Sequence, residues 1–168
     1  MTQILSSLPQ NYRHPIILCL HRLRNVRTGF AEVLQINSKI KISEPDDKEI
    51  IKGNTIYLAP SNYHLMFEHG YRFSLSVTER VNHSRPSLDI CFETAAEIFR
   101  NKSVGVLLSG ANMDGAKGMF RIKKEGGLTI VQDPEDSEIS TMPEACINMF
   151  QPDHIFDATK IINFINNL

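Results

Sequence analysis

The sequence predicts an α/β fold: a doubly wound, mainly parallel sheet with helices on both faces and one antiparallel hairpin. Three observations predict it. Short apolar runs of strand length alternate with stretches of helical period along most of the 168 residues. One such run, Val104-Gly-Val-Leu-Leu108, passes straight into a glycine-rich turn carrying a single acid, Asp114, the pattern of a buried strand that delivers a functional group at its carboxyl end. Between these, Tyr63 to Glu68 and Tyr71 to Thr78 form two strand-like runs across His69-Gly70, which breaks the alternation and reads as an antiparallel hairpin.

In chain order, Thr2 to Leu8 reads as the tail of a helix stopped by Pro9, and Ile16 to Leu20 as the first strand, with His21 at its carboxyl end. Thr28 is placed to cap a helix burying Phe30, Val33 and Leu34; Lys39 to Ser43 then resumes as a strand with Ile40 and Ile42 on one face. Gly53-Asn54 precedes the strand Thr55 to Ala59, and the hairpin follows. From Pro86 onward, Leu88, Cys91, Phe92, Ala95, Ile98 and Phe99 fall on one helical face. After the Asp114 turn a helix around Met119 to Lys124 is stopped by Gly126-Gly127, ahead of the strand Leu128 to Val131. Thr141-Met-Pro-Glu144 has the spacing of a capping box with proline in the first turn, and Asp157 is placed to cap a last helix burying Ile161, Ile162, Phe164 and Ile165. No linker divides the chain, so residues 1–168 are expected to form one domain.

Composition narrows the functional classes. A formal charge of -1 and a pI near 6.6 carry no electrostatic footprint for nucleic acid. Apolar stretches such as Ile16 to Leu20 are strand-sized, and the first residues lack the basic and apolar regions of a secretory signal, so a cytoplasmic protein without membrane insertion is expected. Cys19, Cys91 and Cys146 form no Cys-x-x-Cys pair, and no His-x-x-x-His helix is present. Neither a disulfide framework, a metal nor a cofactor is expected. The Gly110 to Gly118 loop lacks the Gly-Lys-Ser/Thr ending of a phosphate loop, and Asp114 would repel a phosphate.

Histidine after one strand and aspartate after another are two members of a nucleophile, base and orienting-acid system. Several separate motifs place the pair in a known context: Ile16-Ile-Leu-Cys-Leu-His21, Tyr57-Leu-Ala-Pro60, His83-Ser-Arg-Pro-Ser-Leu-Asp89, Leu108-Ser-Gly-Ala-Asn-Met-Asp-Gly115 and Thr141-Met-Pro-Glu-Ala-Cys-Ile-Asn148. Across nearly its whole length the chain resembles the catalytic domain of the bacterial chemotaxis protein-glutamate methylesterases. The resemblance implies a serine hydrolase that removes methyl groups from glutamates on the cytoplasmic domain of methylated chemoreceptors, with release of methanol, and that in some relatives deamidates glutamines. It implies His21 as general base, Asp114 as its orienting partner, and the backbone N–H of Ala111 as a candidate oxyanion donor.

The chain departs from that pattern at its start. Relatives open the domain with a strand leading into Gly-x-Ser-x-Gly-Gly, whose serine is the nucleophile, whereas Thr2 to Pro9 matches the sequence after that motif. The nucleophile, the donor beside it and one sheet strand are therefore expected to lie outside these residues, leaving apolar neighbours and unpaired backbone groups. Among substitutes, Ser6 and Ser7 sit within a helix, Ser109 matches a position that is not the nucleophile, and Cys19, two residues before His21, reads more readily as core packing than as a thiolate. Arg22, Arg24 and Arg27 replace a more neutral loop after His21 and form a candidate basic rim for an acidic receptor helix. The length leaves no room for a receiver domain. The alternative is a non-catalytic, receptor-binding relative of the same fold.

Overall fold

The structure, a computed structural model, describes residues 1–21, 29–81 and 84–168. Its elements follow the chain as α1 (Thr2–Ser7), β1 (Ile16–Leu18), α2 (Phe30–Gln35), β2 (Lys41–Ser43), β3 (Thr55–Leu58), β4 (His64–Glu68), β5 (Arg72–Ser76), α3 (Leu88–Phe99), β6 (Val104–Leu107), α4 (Ala116–Lys124), β7 (Leu128–Gln132), α5 (Thr141–Met149), β8 (His154–Phe156) and α6 (Ala158–Asn166). Two parallel three-stranded sheets, ordered β1-β3-β2 and β6-β7-β8, carry the α/β architecture, and β4 and β5 pair antiparallel beside them.

Side-chain alternation explains why helices cover both faces. Along β7, Ile130 faces one core and its neighbour Val131 the other; along β6, Val106 and Leu107 divide in the same way. The first core gathers Leu5 and Leu8 of α1 and its end, Ile161 and Ile165 of α6, and Ile42, Ile56 and Leu58 of the β1-β3-β2 sheet with its partner residues. On the opposite face, Met119 and Ile122 of α4, Ala96 of α3 and Cys146 of α5 pack over Leu107 and Val131. A third core joins Tyr57 of β3 to Leu65, Phe67 and Phe73 of the hairpin and to Cys91 of α3. The register Phe67 opposite Phe73 fixes this hairpin, whose turn places Gly70 and Tyr71 at positive φ of 82° and 55°.

α3 is the hinge pin of this arrangement. Leu88 and Phe92 pack against α4, while Cys91, Ala95, Ile98 and Phe99 pack against the hairpin, so the apolar face read from the sequence serves two cores.

Several local expectations come out differently. Val33 is 57% exposed and Leu34 is the buried residue of α2, because the helix is only six residues long and presents one narrow stripe. The proposed Thr28 cap lies outside the described residues. Thr141 is the first helical residue of α5, the cap position falls to Ser140, and no side-chain capping bond forms; a backbone bond from Gly110 holds this helix start instead, the Met142 N–H donating to its carbonyl. Val104 is 38% exposed, so β6 is not covered at its entrance. β8 was not anticipated from the sequence. Asp157 does cap α6, its carboxylate accepting the Lys160 N–H at 2.8 Å.

Candidate active site

The two predicted residues, one following β1 and the other following β6, meet in the structure. His21 follows β1 by three residues and Asp114 ends the turn after β6. The His21 Nε2 lies 3.2 Å from Asp114 Oδ2, with Asp114 fully buried and the imidazole 28% exposed. The other ring nitrogen, Nδ1, lies 3.2 Å from the Pro86 carbonyl. Both ring nitrogens thus face acceptor oxygens.

The carboxylate of Asp114 is held by the amino end of α3. Its Oδ1 accepts from the Ser87 hydroxyl at 2.8 Å and the Asp89 N–H at 3.2 Å, and its Oδ2 from the Leu88 N–H at 2.7 Å. Burial alone would raise its pKa, but the hydrogen bonds from His21, Leu88, Ser87 and Asp89 outweigh this and hold it below the ordinary carboxylate range. The helix dipole of α3 acts in the same direction.

Asp89 returns the interaction. Its Oδ1 accepts the N–H groups of Gly115 and Gly118, each at 2.9 Å, and so caps the start of α4. Burial dominates its environment and pushes its carboxyl upward, with the Asp114 charge adding to the effect. Each of two helix starts is therefore capped by an acid from the other's segment. Close approach requires the glycines: Gly115 sits at φ 102°, and a Cβ on Gly118 would come within 2.6 Å of the Phe92 Cβ and 2.8 Å of the Asp89 carbonyl.

The turn itself is pinned at both ends. The Ser109 N–H donates to Gln132 Oε1 at 2.9 Å, the Gly110 N–H to the Ile139 carbonyl at 3.0 Å, and the Asp114 N–H to Asn112 Oδ1 at 3.0 Å. Ala111 is exposed at the crest of this turn. Arg22, Arg24 and Arg27 lie outside the described residues. Cys19 is half-buried among the residues of the hairpin core. A hydrogen bond with the Cys91 thiol, followed by burial, holds the Cys19 thiol well above its ordinary pKa, so it stays protonated at neutral pH and is no thiolate partner for His21. Among the described residues no cluster of three or more His, Cys, Asp or Glu side chains is arranged to hold a metal, and no helix is long and apolar enough to cross a membrane.

The chain is similar to known proteins over nearly its whole length. A sequence model of the family described as CheB methylesterase matches residues 1–165. The chain belongs to the CheB methylesterase family. It is similar to a putative protein-glutamate methylesterase/protein-glutamine glutaminase of Leptospira interrogans, with 44% identity over 161 residues that span 96% of this chain and 83% of the relative. It is 32% identical to a protein-glutamate methylesterase/protein-glutamine glutaminase of Thermotoga maritima, spanning 96% of this chain and 48% of that longer protein. The crystal structure of the Thermotoga maritima CheB methylesterase catalytic domain superposes with a TM-score of 0.92 at 30% identity, covering 99% of this chain and 89% of that one. Nearly the whole chain thus shares the fold of that solved CheB methylesterase catalytic domain.

Sequence patterns assign Ser87 and Asp89 no role at the site and Leu88 only a place on the apolar helix face. Their motif was visible only as part of His83 to Asp89, since a side chain's partner 25 to 27 residues away leaves no periodic trace. A serine followed two residues later by an aspartate at the start of an amphipathic helix is the signal that could have marked them.

Proposed function

We propose that this chain supplies the general base and the orienting acid of a protein-glutamate methylesterase, which hydrolyses glutamyl methyl esters on the cytoplasmic part of methylated chemoreceptors and can deamidate glutamines there. The contact between His21 Nε2 and the buried Asp114 carboxylate carries this reading. With Nε2 engaged, Nδ1 is the nitrogen that serves the nucleophile, exchanging the Pro86 carbonyl for a hydroxyl.

The nucleophilic serine belongs to a strand and Gly-x-Ser-x-Gly-Gly segment that the sequence does not contain. Among the described residues β1 pairs with β3 alone and β6 with β7 alone, while Ile16 and Leu18 of β1 and Val106 of β6 pack on one shared core. A parallel strand between them would join the two sheets, and its carboxyl end would stand between His21 and the Asp114 turn. In the reaction, Nδ1 takes the serine proton as Oγ attacks the ester carbonyl, and the oxyanion is received by the exposed Ala111 N–H. His21 then returns the proton to the departing methoxide, giving methanol and an acyl-serine, and a water activated by the same nitrogen hydrolyses the acyl group to glutamate. For glutamine the leaving group is ammonia. Asp114 stays ionised throughout and stabilises the imidazolium.

Arg22, Arg24 and Arg27 follow His21 directly and would draw in an acidic receptor helix. Their replacement by serine is expected to flatten the salt dependence of receptor binding; an unchanged salt dependence removes them from the reading. The overall proposal is tested with a serine-bearing form, the chain joined in frame to the strand and Gly-x-Ser-x-Gly-Gly segment of a relative. Methanol release from methylated receptor, abolished when that serine becomes alanine, is the expected result. Receptor binding without methanol release would instead make this domain a binding module.

A further inference from the structure

The segment that grips the catalytic pair is itself gripped by a residue to which neither the sequence motifs nor the proposed reaction give a part. His64 opens β4 and is fully buried. Its Nδ1 lies 3.3 Å from the Ser87 N–H and its Nε2 lies 2.9 Å from the Glu79 carbonyl. A backbone N–H can only donate and a carbonyl can only accept, so these two partners select the tautomer with the proton on Nε2. Burying an imidazole is costly unless both nitrogens are satisfied, and here both are. A leucine of similar size would leave the Ser87 N–H and the Glu79 carbonyl unpaired.

We propose that His64 is a positioning residue for the His21–Asp114 pair, acting through the Ser87 peptide. Ser87 is where the contacts converge. Its N–H is fixed by His64, its hydroxyl donates to Asp114 Oδ1, the preceding carbonyl of Pro86 faces His21 Nδ1, and the following N–H groups of Leu88 and Asp89 complete the cradle of Asp114. Fixing one peptide therefore sets the orientation of both the base and its acid. The hairpin that carries His64 is packed on α3 through Leu65, Phe67 and Cys91, so the imidazole has a rigid support.

The proposal rests on the esterase reading only for its turnover arm; its structural arm reads the pair directly in this chain. In ring-labelled protein, the His21 Nε2 proton bonded to a carboxylate gives a downfield resonance, assigned by its loss in Asp114→Asn. Two amide variants separate the nitrogens of His64. His64→Asn places an acceptor near the Nδ1 position, and His64→Gln reaches the Nε2 position and keeps a donor toward Glu79. His64→Asn is expected to retain the His21 resonance and the slow exchange of the Ser87 N–H, whereas His64→Gln loses both while the amide spectrum of the β6-β7-β8 sheet persists. Equal behaviour of the two variants, or a His21 resonance unchanged in His64→Gln, would overturn the proposal. In the serine-bearing form His64→Gln is expected to lower kcat by roughly 10²-fold with KM changed less than about twofold. A wild-type serine-bearing form that releases no methanol would count against the esterase reading and leave the resonance test standing.

Discussion

Asp114 combines full burial with a lowered pKa, and hydrogen bonding resolves the conflict. Replacing it with asparagine turns one acceptor oxygen into a donor, which either opposes the Asp89 N–H and loosens the cradle or faces the Leu88 N–H and His21 and leaves the imidazole without its acceptor. Asp114→Asn in the serine-bearing form is expected to lower kcat by roughly 10⁴-fold, measured as methanol release. Cys19→Ala should leave kcat within a few-fold, because a thiol held protonated by Cys91 and by burial contributes no nucleophile; a loss comparable to that of Asp114→Asn would show the thiol to be part of the chemistry. His21 and Asp114 could be paired from the sequence because each lies in the segment that follows an apolar strand, and this architecture gathers functional groups there. His64 and Ser87 could not be found that way. Their roles come from bonds that cross 23 and 27 residues of chain, and nothing in local periodicity encodes such a crossing.

At the scale of elements, the mutual capping of α3 and α4 depends on there being no side chain at Gly118. Gly118→Ala is expected to destabilise the fold by about 1 to 3 kcal/mol through overpacking against Phe92 and the Asp89 backbone, read as a lower denaturation midpoint at unchanged slope. A second lock ties β7 to the turn before β8. Asp153 Oδ2 accepts from the Thr129 N–H at 2.9 Å and hydroxyl at 2.7 Å, and its Oδ1 pairs with Lys123. Burial opposes ionisation of Asp153, but Lys123 and Thr129 prevail and lower its pKa to about 2. A folded-state pKa depressed in this way stabilises the fold above the ordinary carboxylate value near ~4 and ceases to do so as pH falls toward about 2. The melting temperatures of wild type and Asp153→Asn should accordingly differ at neutral pH and converge near pH 2; a constant gap would contradict the assignment. The long amphipathic helix α3, the Gly70 hairpin and the Asp157 cap were legible because their signals are local. β8, with only the three residues His154 to Phe156, is too short for alternation to be seen. The capping box at Thr141 failed because the chain meets α5 already bonded to Gly110, which shifts the helix start and leaves the hydroxyl without a capping role.

For the whole molecule, the first core draws on both three-stranded sheets and on helices from the two ends of the chain, α1 and α6. Such sharing predicts one cooperative unfolding transition for the 168 residues, with coincident circular dichroism and tyrosine fluorescence curves. Separate transitions would divide the sheets into independent units. The edges of β1 and β6 that face this core make a further prediction, that joining the serine-bearing strand raises the melting temperature above that of the chain alone, since it buries apolar surface and pairs exposed backbone. Fold class was legible at this scale because alternating strands and helices admit few topologies. The central claim is that His21, oriented by Asp114, is the base that activates the serine, and it is tested most directly by comparing methanol release from methylated receptor by the serine-bearing form and by its His21→Ala variant. Loss of several orders of magnitude in kcat with receptor binding retained is the predicted result, and release at the wild-type rate by His21→Ala would contradict the account.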